Sequence, residues 1–415
     1  MIKYLCPRSE ARGNGGKNVQ KNSYFYYAAA NALFYFSRAM FASMITVYLA
    51  GESLSTSEIS LVTSAFSLFA IVTQPICNLI ADKIQSPKIV SIGCGVLAIC
   101  TGIAFASTHA FFLLFLFNGL TQGFLNGLVI LTDRLATACP YGYGSIRLWG
   151  SVAYAIGAQV SGMIYEILFP QAHYFVFALS LLAMLFCLYQ MRDQKTSLPK
   201  KEKTQTKTIF KHLFTNKAFL YFVLIYCLYQ GVATSQGISF PLYMQENGAS
   251  TALVGTAPLL FSLADIPVYL ITDRLLARFH YRSILIFACL IATFRFGWYA
   301  LLPDPQWILY GFFLQSISNT FILIASVKVI LNLVEEKYLN TAYGMLAKGI
   351  FPLFVQIGYG YLLERIPGIQ GYVITYYLYA GATLLCLLLC FGISRGRKKT
   401  GSYQNDTCLL FIIGE

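Results

Sequence analysis

Charge is what this sequence has least of. Only 11% of its 415 residues are Asp, Glu, Lys or Arg, against about 25% in soluble globular domains. A water-facing surface needs charge, so a shortage on this scale argues against a soluble chain. Histidine is scarce too: His109, His173, His212 and His280 are the full set, and each lies near a loop or a span end. The 11 cysteines are scattered from Cys6 to Cys408 without a CxxC or a Cys/His cluster. No disulfide framework, metal site or cofactor is expected from that pattern. No nucleophile–base pair stands out, so an enzyme is not expected either.

What is abundant is apolar. Hydrophobic residues make up 57% and aromatic residues 16%. Spanning helices need about 20 apolar residues. Such spans are expected at 24–50, 57–81, 88–108, 110–137, 144–168, 172–191, 218–245, 252–276, 283–302, 306–334, 340–363 and 372–393. Residues 1–23 are polar and basic, so no cleavable signal peptide is expected there.

The net charge of +13 does not predict a nucleic-acid partner, because the bases are confined to loops. One set of loops holds Lys3, Arg8, Arg12, Lys17, Lys21, Lys83, Lys88, the run from Arg192 to Lys217, Arg274, Arg278, Arg282, Lys337 and the tail from Arg395 to Lys399. The opposite set holds Arg365 alone. The positive-inside rule therefore predicts a plasma-membrane protein with both termini and the central loop in the cytoplasm. An even number of spans is required, and twelve fits. The predicted division is a 1–23 tail, a six-helix bundle over 24–191, a 192–217 linker, a second bundle over 218–393 and a 394–415 tail. The basic linker can touch anionic lipid.

The two bundles repeat. Leu79-Ile80-Ala81-Asp82-Lys83 ends the second span, and Leu270-Ile271-Thr272-Asp273-Arg274 ends the eighth, 191 residues later. Ser55 and Glu58 form a capping-box pattern at the start of span two. A six-plus-six repeat with its site between the halves is a transporter architecture. The loop after span two resembles the signature loop of the major facilitator superfamily, although Asn78 replaces its usual glycine. That resemblance implies an all-α membrane protein of twelve transmembrane helices in two pseudo-symmetric six-helix bundles. It casts Asp82, Lys83, Asp273 and Arg274 as gating residues. It also implies a monomer that exchanges a small-molecule substrate and protons, with the proton gradient as its energy source.

Ionisable residues inside spans are costly and are functional candidates by default. Arg38, Asp133, Arg147, Asp265, Arg295 and Lys348 qualify. Tyr143-Gly144-Ser145-Ile146-Arg147-Leu148-Trp149-Gly150-Ser151 is similar to a segment of the oligosaccharide:proton symporters (lactose permease type) and of the phenylpropionate permeases. The rigid fork of Arg147 suits vicinal hydroxyls or a carboxylate, and Asp133 on span four is its expected neutralising partner. Tyr154 lies two turns further along, where the lactose permease type holds a sugar-stacking tryptophan. Ala264-Asp265-Ile266-Pro267 resembles an acid-isoleucine-proline step of the phenylpropionate type. Asp265 is expected to carry the coupling proton, with Asp133 second. Arg295 matches an arginine of span nine in both types and is the alternative, purely structural partner for Asp265. Where the lactose permease type carries a histidine and a glutamate in span ten, this chain has Gln315 and Ser318, which cannot titrate.

Uncharged polar residues, Asn31, Gln74, Asn118, Gln122, Asn126, Gln159, Gln230, Gln236, Asn319 and Gln356, are expected to point inward. Gln122, Asn126, Gln315 and Asn319, with Arg147 and Tyr154, are the predicted substrate contacts. The leading expectation is proton-coupled uptake of a small polar solute, a sugar or oligosaccharide. An aromatic or other organic acid is the alternative, favoured by the cation surplus in the spans. Proton-antiport efflux and a non-transporting receptor are the others.

Overall fold

The computed structural model describes residues 24–84, 86–138, 143–191, 214–301, 304–333 and 350–393. Among these residues the only regular elements are helices: α1 (Tyr24–Ala42), α2 (Ile45–Gly51), α3 (Thr56–Ile84), α4 (Pro87–Ala106), α5 (Phe111–Ala138), α6 (Tyr143–Ile167), α7 (Ala172–Gln190), α8 (Lys217–Glu246), α9 (Thr251–Arg278), α10 (Tyr281–Ala300), α11 (Pro305–Leu333), α12 (Ile350–Arg365) and α13 (Ile369–Phe391). The first expected span is not continuous. It breaks at Ser43 and Met44 into α1 and α2. Each later helix then answers to one expected span, which agrees with twelve.

Among the described residues, nine helical segments are long and apolar enough to cross a membrane. α6, α9 and α12 are not among them. These three, with α3, make the main contacts between the two halves: α6 packs on α9 and α3 on α12. A helix that faces protein rather than lipid tolerates a charge such as Arg147 of α6, and α9 carries Asp265 and two internal prolines.

Within each half the packing repeats. α1 packs on α6 and α7, as α8 packs on α12 and α13. α3 pairs with α5 and α4 with α7, as α9 pairs with α11 and α10 with α13. The cores repeat too. Phe41, Tyr48, Phe105, Tyr174 and Phe177 form one ring cluster. Tyr243, Phe296, Tyr299, Tyr376 and Tyr379 form the other. Both come from the first, third and sixth spans of their half. Edge-to-face ring pairs of this kind add about 0.5–1.5 kcal/mol each beyond their buried area.

The turns after α2, α4, α6, α8 and α12 share one face of the bundle, called here the distal face. His109 Nδ1 lies 2.5 Å from Glu52 Oε2 across it. The capping box at α3 forms as expected: Ser55 N donates to Glu58 Oε2 at 2.8 Å and Glu58 N to Ser55 Oγ at 3.3 Å. The α8–α9 turn needs Gly248, whose φ of 84° is costly for residues with a Cβ. That tight turn delivers Ser250 to cap α9, where it accepts from Leu253 N at 3.2 Å.

Candidate functional site

A cavity of about 180 Å³ lies between the halves. Ala42, Ser43 and Thr46 line it from the break in the first span. Thr63 comes from α3, Asn118 and Gln122 from α5, Thr234 and Pro241 from α8, and Gln356 from α12. Ser43 at the helix break and Thr46 in the first turn of α2 bring hydroxyls to this space. Ser43 Oγ, Thr46 Oγ1, Asn118 Oδ1, Gln122 Oε1 and Gln356 Oε1 are buried and lack a hydrogen-bond partner among the described residues. Leaving buried polar atoms unmade costs about 1–3 kcal/mol each, so a solute that satisfies them is bound by what the empty cavity forgoes. No charged residue lines this space among the described residues. A second cavity of about 240 Å³ sits between α8, α12 and α13, inside one half and with a mainly apolar lining.

The predicted site residues fall in three places. Gln122 lines the shared cavity. Asn126 lies one turn further along α5, its Nδ2 donating to Gln122 O at 2.8 Å.

Arg147 lies toward the opposite, proximal face. Its guanidinium carbon sits 3.9 Å from the centroid of the Tyr35 ring, a cation–π contact. Gly150 makes this possible, because a Cβ there would come within 2.6 Å of Tyr35. Tyr24 ties the same corner, donating to Ser145 O at 3.1 Å and accepting from Trp149 Nε1 at 3.0 Å. Asp133 is half-buried near the end of α5. Tyr154 is half-buried against the hydrophobic core.

The third group lies within the C-terminal half. Ser316 Oγ and Thr320 Oγ1 both donate to Asp265 Oδ1, the latter at 3.2 Å. Arg295, only 2% exposed, donates from Nη1 to Gln315 Oε1 at 2.7 Å. Its guanidinium stacks 4.2 Å from Phe296 and 5.5 Å from Tyr299. Adjacent residues of α11 thus hold the arginine and the acid separately, and the structural pair of Arg295 with Asp265 is not formed. Asn319 Oδ1 accepts from Tyr229 Oη at 2.9 Å. Gln315 and Asn319 are therefore engaged inside the half and do not line the shared cavity.

Of the gating candidates, Lys83 is exposed in the last turn of α3. The side chains of Asp82, Asp273 and Arg274 lie outside the described residues, as does Lys348.

Sequence reasoning missed the distal closure. Glu166 of α6 reaches across to the start of α9, accepting from Ala252 N at 2.9 Å and Thr251 Oγ1 at 3.1 Å. A carboxylate is favoured at a helix N-terminus by the macrodipole. Below it, Gly162 and Gly255 let the two backbones touch. A Cβ on Gly162 would sit 2.7 Å from Thr251 O, and one on Gly255 2.9 Å from Ala158 O. On the other side Ser60 donates to Gln356 O, and a Cβ on Gly360 would sit 3.0 Å from Ser57 Cα. Nothing local marks Glu166, whose partner is 86 residues away. The missed partners of Asp265 did leave a signal, the polar run Gln315-Ser316-Ile317-Ser318-Asn319-Thr320 inside an apolar helix.

Two half-bundles, a shared polar cavity and closure by small residues describe a carrier. A family model described as the MFS_1 like family matches residues 24–361. The chain belongs to that family. It is therefore a multi-pass membrane transporter of the major facilitator type and not an enzyme. The chain is 25% identical over 342 residues to a maltose permease of Geobacillus stearothermophilus, covering 80% of this chain and 86% of that protein. It is 28% identical over 276 residues to a probable 3-phenylpropionic acid transporter of Escherichia coli (strain K12), covering 64% and 70%. Its fold is similar to the crystal structure of the nucleoside transporter NupG, with a TM-score of 0.78 at 16% identity, covering 90% of this chain and 99% of that one.

Proposed function

We propose that this MFS_1-like transporter is a proton-coupled symporter that carries a small polar organic solute into the cytoplasm. The observation that carries this reading is Asp265. It is a half-buried carboxylate in a span, held by two hydroxyls of α11, while Arg295 is bonded to Gln315. Protonation neutralises a charge in a poorly solvated place, where the energetic difference between charged and neutral forms is large. That difference biases which of two packings the halves adopt. Pro267, two residues on and inside the helix, leaves the backbone of α9 less tightly bonded there.

The basic loops support a distal face outside the cell, and on that reading the arrangement described is closed to the exterior at Glu166 and the glycine crossings. The uncharged lining of the shared cavity supports a hydroxyl-rich solute, as does the similarity to a maltose permease. A volume of about 180 Å³ lies below the roughly 300 Å³ at which drug-sized pockets begin. It favours a solute of monosaccharide size over an oligosaccharide. Uptake of a labelled sugar and organic-acid panel into proteoliposomes, with and without an imposed proton gradient, tests the proposal. Accumulation above the outside concentration should require the gradient. Equal accumulation without it contradicts proton symport.

A further inference from the structure

Arg38 is an arginine within a span that belongs to none of the three groups of site residues. It lies 14 residues into α1, about 21 Å along the helix at 1.5 Å per residue, and so deep within a bilayer core of about 30 Å. It is half-buried. Its guanidinium makes no hydrogen bond, ion pair or ring contact among the described residues. The other two arginines discussed above are both engaged, Arg147 on Tyr35 and Arg295 on Gln315.

Its position on the helix says where it points. Residues three and four apart share a helix face. Asn31, Tyr35, Arg38 and Ala42 therefore form one stripe of α1. At its proximal end Tyr35 and Asn31 border Gly150 and the Arg147 guanidinium. At its distal end Ala42 lines the shared cavity. Arg38 sits between them, one turn below the cavity floor.

We infer that Arg38 binds the carboxylate of the transported solute, and that the solute is a small monocarboxylate whose body carries hydroxyl groups. The inference rests on the transport reading above and narrows its substrate class. The body fits the uncharged amides and hydroxyls of Asn118, Gln122, Gln356, Ser43 and Thr46, which offer no counter-ion. The carboxylate extends one turn toward the proximal side and meets the guanidinium fork, which matches a carboxylate with two parallel hydrogen bonds. A cation with no partner in a low-dielectric pathway is neutralised only when that solute is bound, so loading changes the charge of the pathway by one.

The test is a matched pair of probes, gluconate and sorbitol, which share a six-carbon polyol body and differ in the carboxylate. Each is offered labelled to proteoliposomes of the full chain under an inward proton gradient. Gluconate is expected to accumulate and sorbitol to enter at least about tenfold more slowly. Arg38→Gln should lower gluconate entry about tenfold to hundredfold, the range for one lost charge-assisted contact, and Arg38→Lys should restore part of it. Sorbitol entering as fast as gluconate overturns the inference, as does gluconate entry unchanged in Arg38→Gln, or entry of neither probe. Should Arg38→Gln fail to fold, the gluconate-to-sorbitol ratio of the unaltered protein still decides. The parent reading fails differently: gluconate reaching the same level with and without the gradient would remove proton coupling and leave Arg38 in place.

Discussion

The Glu166 carboxylate accepts a hydrogen bond from the Ala252 backbone amide at 2.9 Å, although the two residues belong to opposite halves of the molecule. One half thus caps a helix of the other. The contact joins the halves across the distal face, so it belongs to this distally closed arrangement and not to the fold of either half alone.

Removing that cap should shift the balance between end states. A carboxylate at an exposed helix N-terminus contributes about 0.3–1 kcal/mol, so Glu166→Gln should favour the distally open state by up to about fivefold. Labelling of a cysteine placed at Ser43 by a membrane-impermeant maleimide, added from the distal side, should speed up accordingly. An unchanged rate would show that the cap carries no part of the closure.

The glycine crossings should matter more. Gly162→Val puts side-chain carbon where Thr251 O stands 2.7 Å away from the first added atom. Backbone on the far side cannot yield as a flexible side chain does, so the halves should be held apart at the distal face. The variant is expected to insert and fold, to lose transport, and to leave the Ser43 position permanently labelled. A variant that still transports at the original rate would place the crossing elsewhere.

Arg295 and Gln315 should behave as one unit. The arginine is 2% exposed, and losing Gln315 leaves it buried without that bond. Arg295→Met and Gln315→Leu should each lower the thermal unfolding temperature. The double variant should lose less than the sum, with a coupling of about 0.5–3 kcal/mol, the range for residues in contact. Strict additivity in unfolding measurements would contradict the 2.7 Å bond.

Much of this was legible in the chain. Span lengths and the scarcity of charge announce a multi-pass helical membrane protein, because a bilayer imposes length and apolarity on any helix that crosses it. The Arg147 segment and Asp265 stand out because a charge in an apolar run is conspicuous. The rest depends on tertiary contacts. The break at Ser43 and Met44 has no glycine or proline to announce it. Glu166 looks like an ordinary residue at the end of a span until α9 is brought beside it. Gln315 and Asn319 read as pathway amides from their type, yet Arg295 and Tyr229 occupy them within one half. Arg38 and Arg295 look alike in sequence, and what separates them is which neighbours they meet.

The central claim is that Asp265 carries the coupling proton, and Asp265→Asn tests it directly. Asparagine keeps the size and can still accept from Ser316 and Thr320, but it cannot ionise. Two rates should be measured on the same proteoliposomes: exchange of labelled for unlabelled solute at equilibrium, and accumulation driven by a proton gradient. The account predicts that exchange persists within about threefold, the scatter of single-contact effects of roughly 0.5 kcal/mol, while gradient-driven accumulation disappears. Accumulation that survives in Asp265→Asn at the level of the unaltered protein would contradict it.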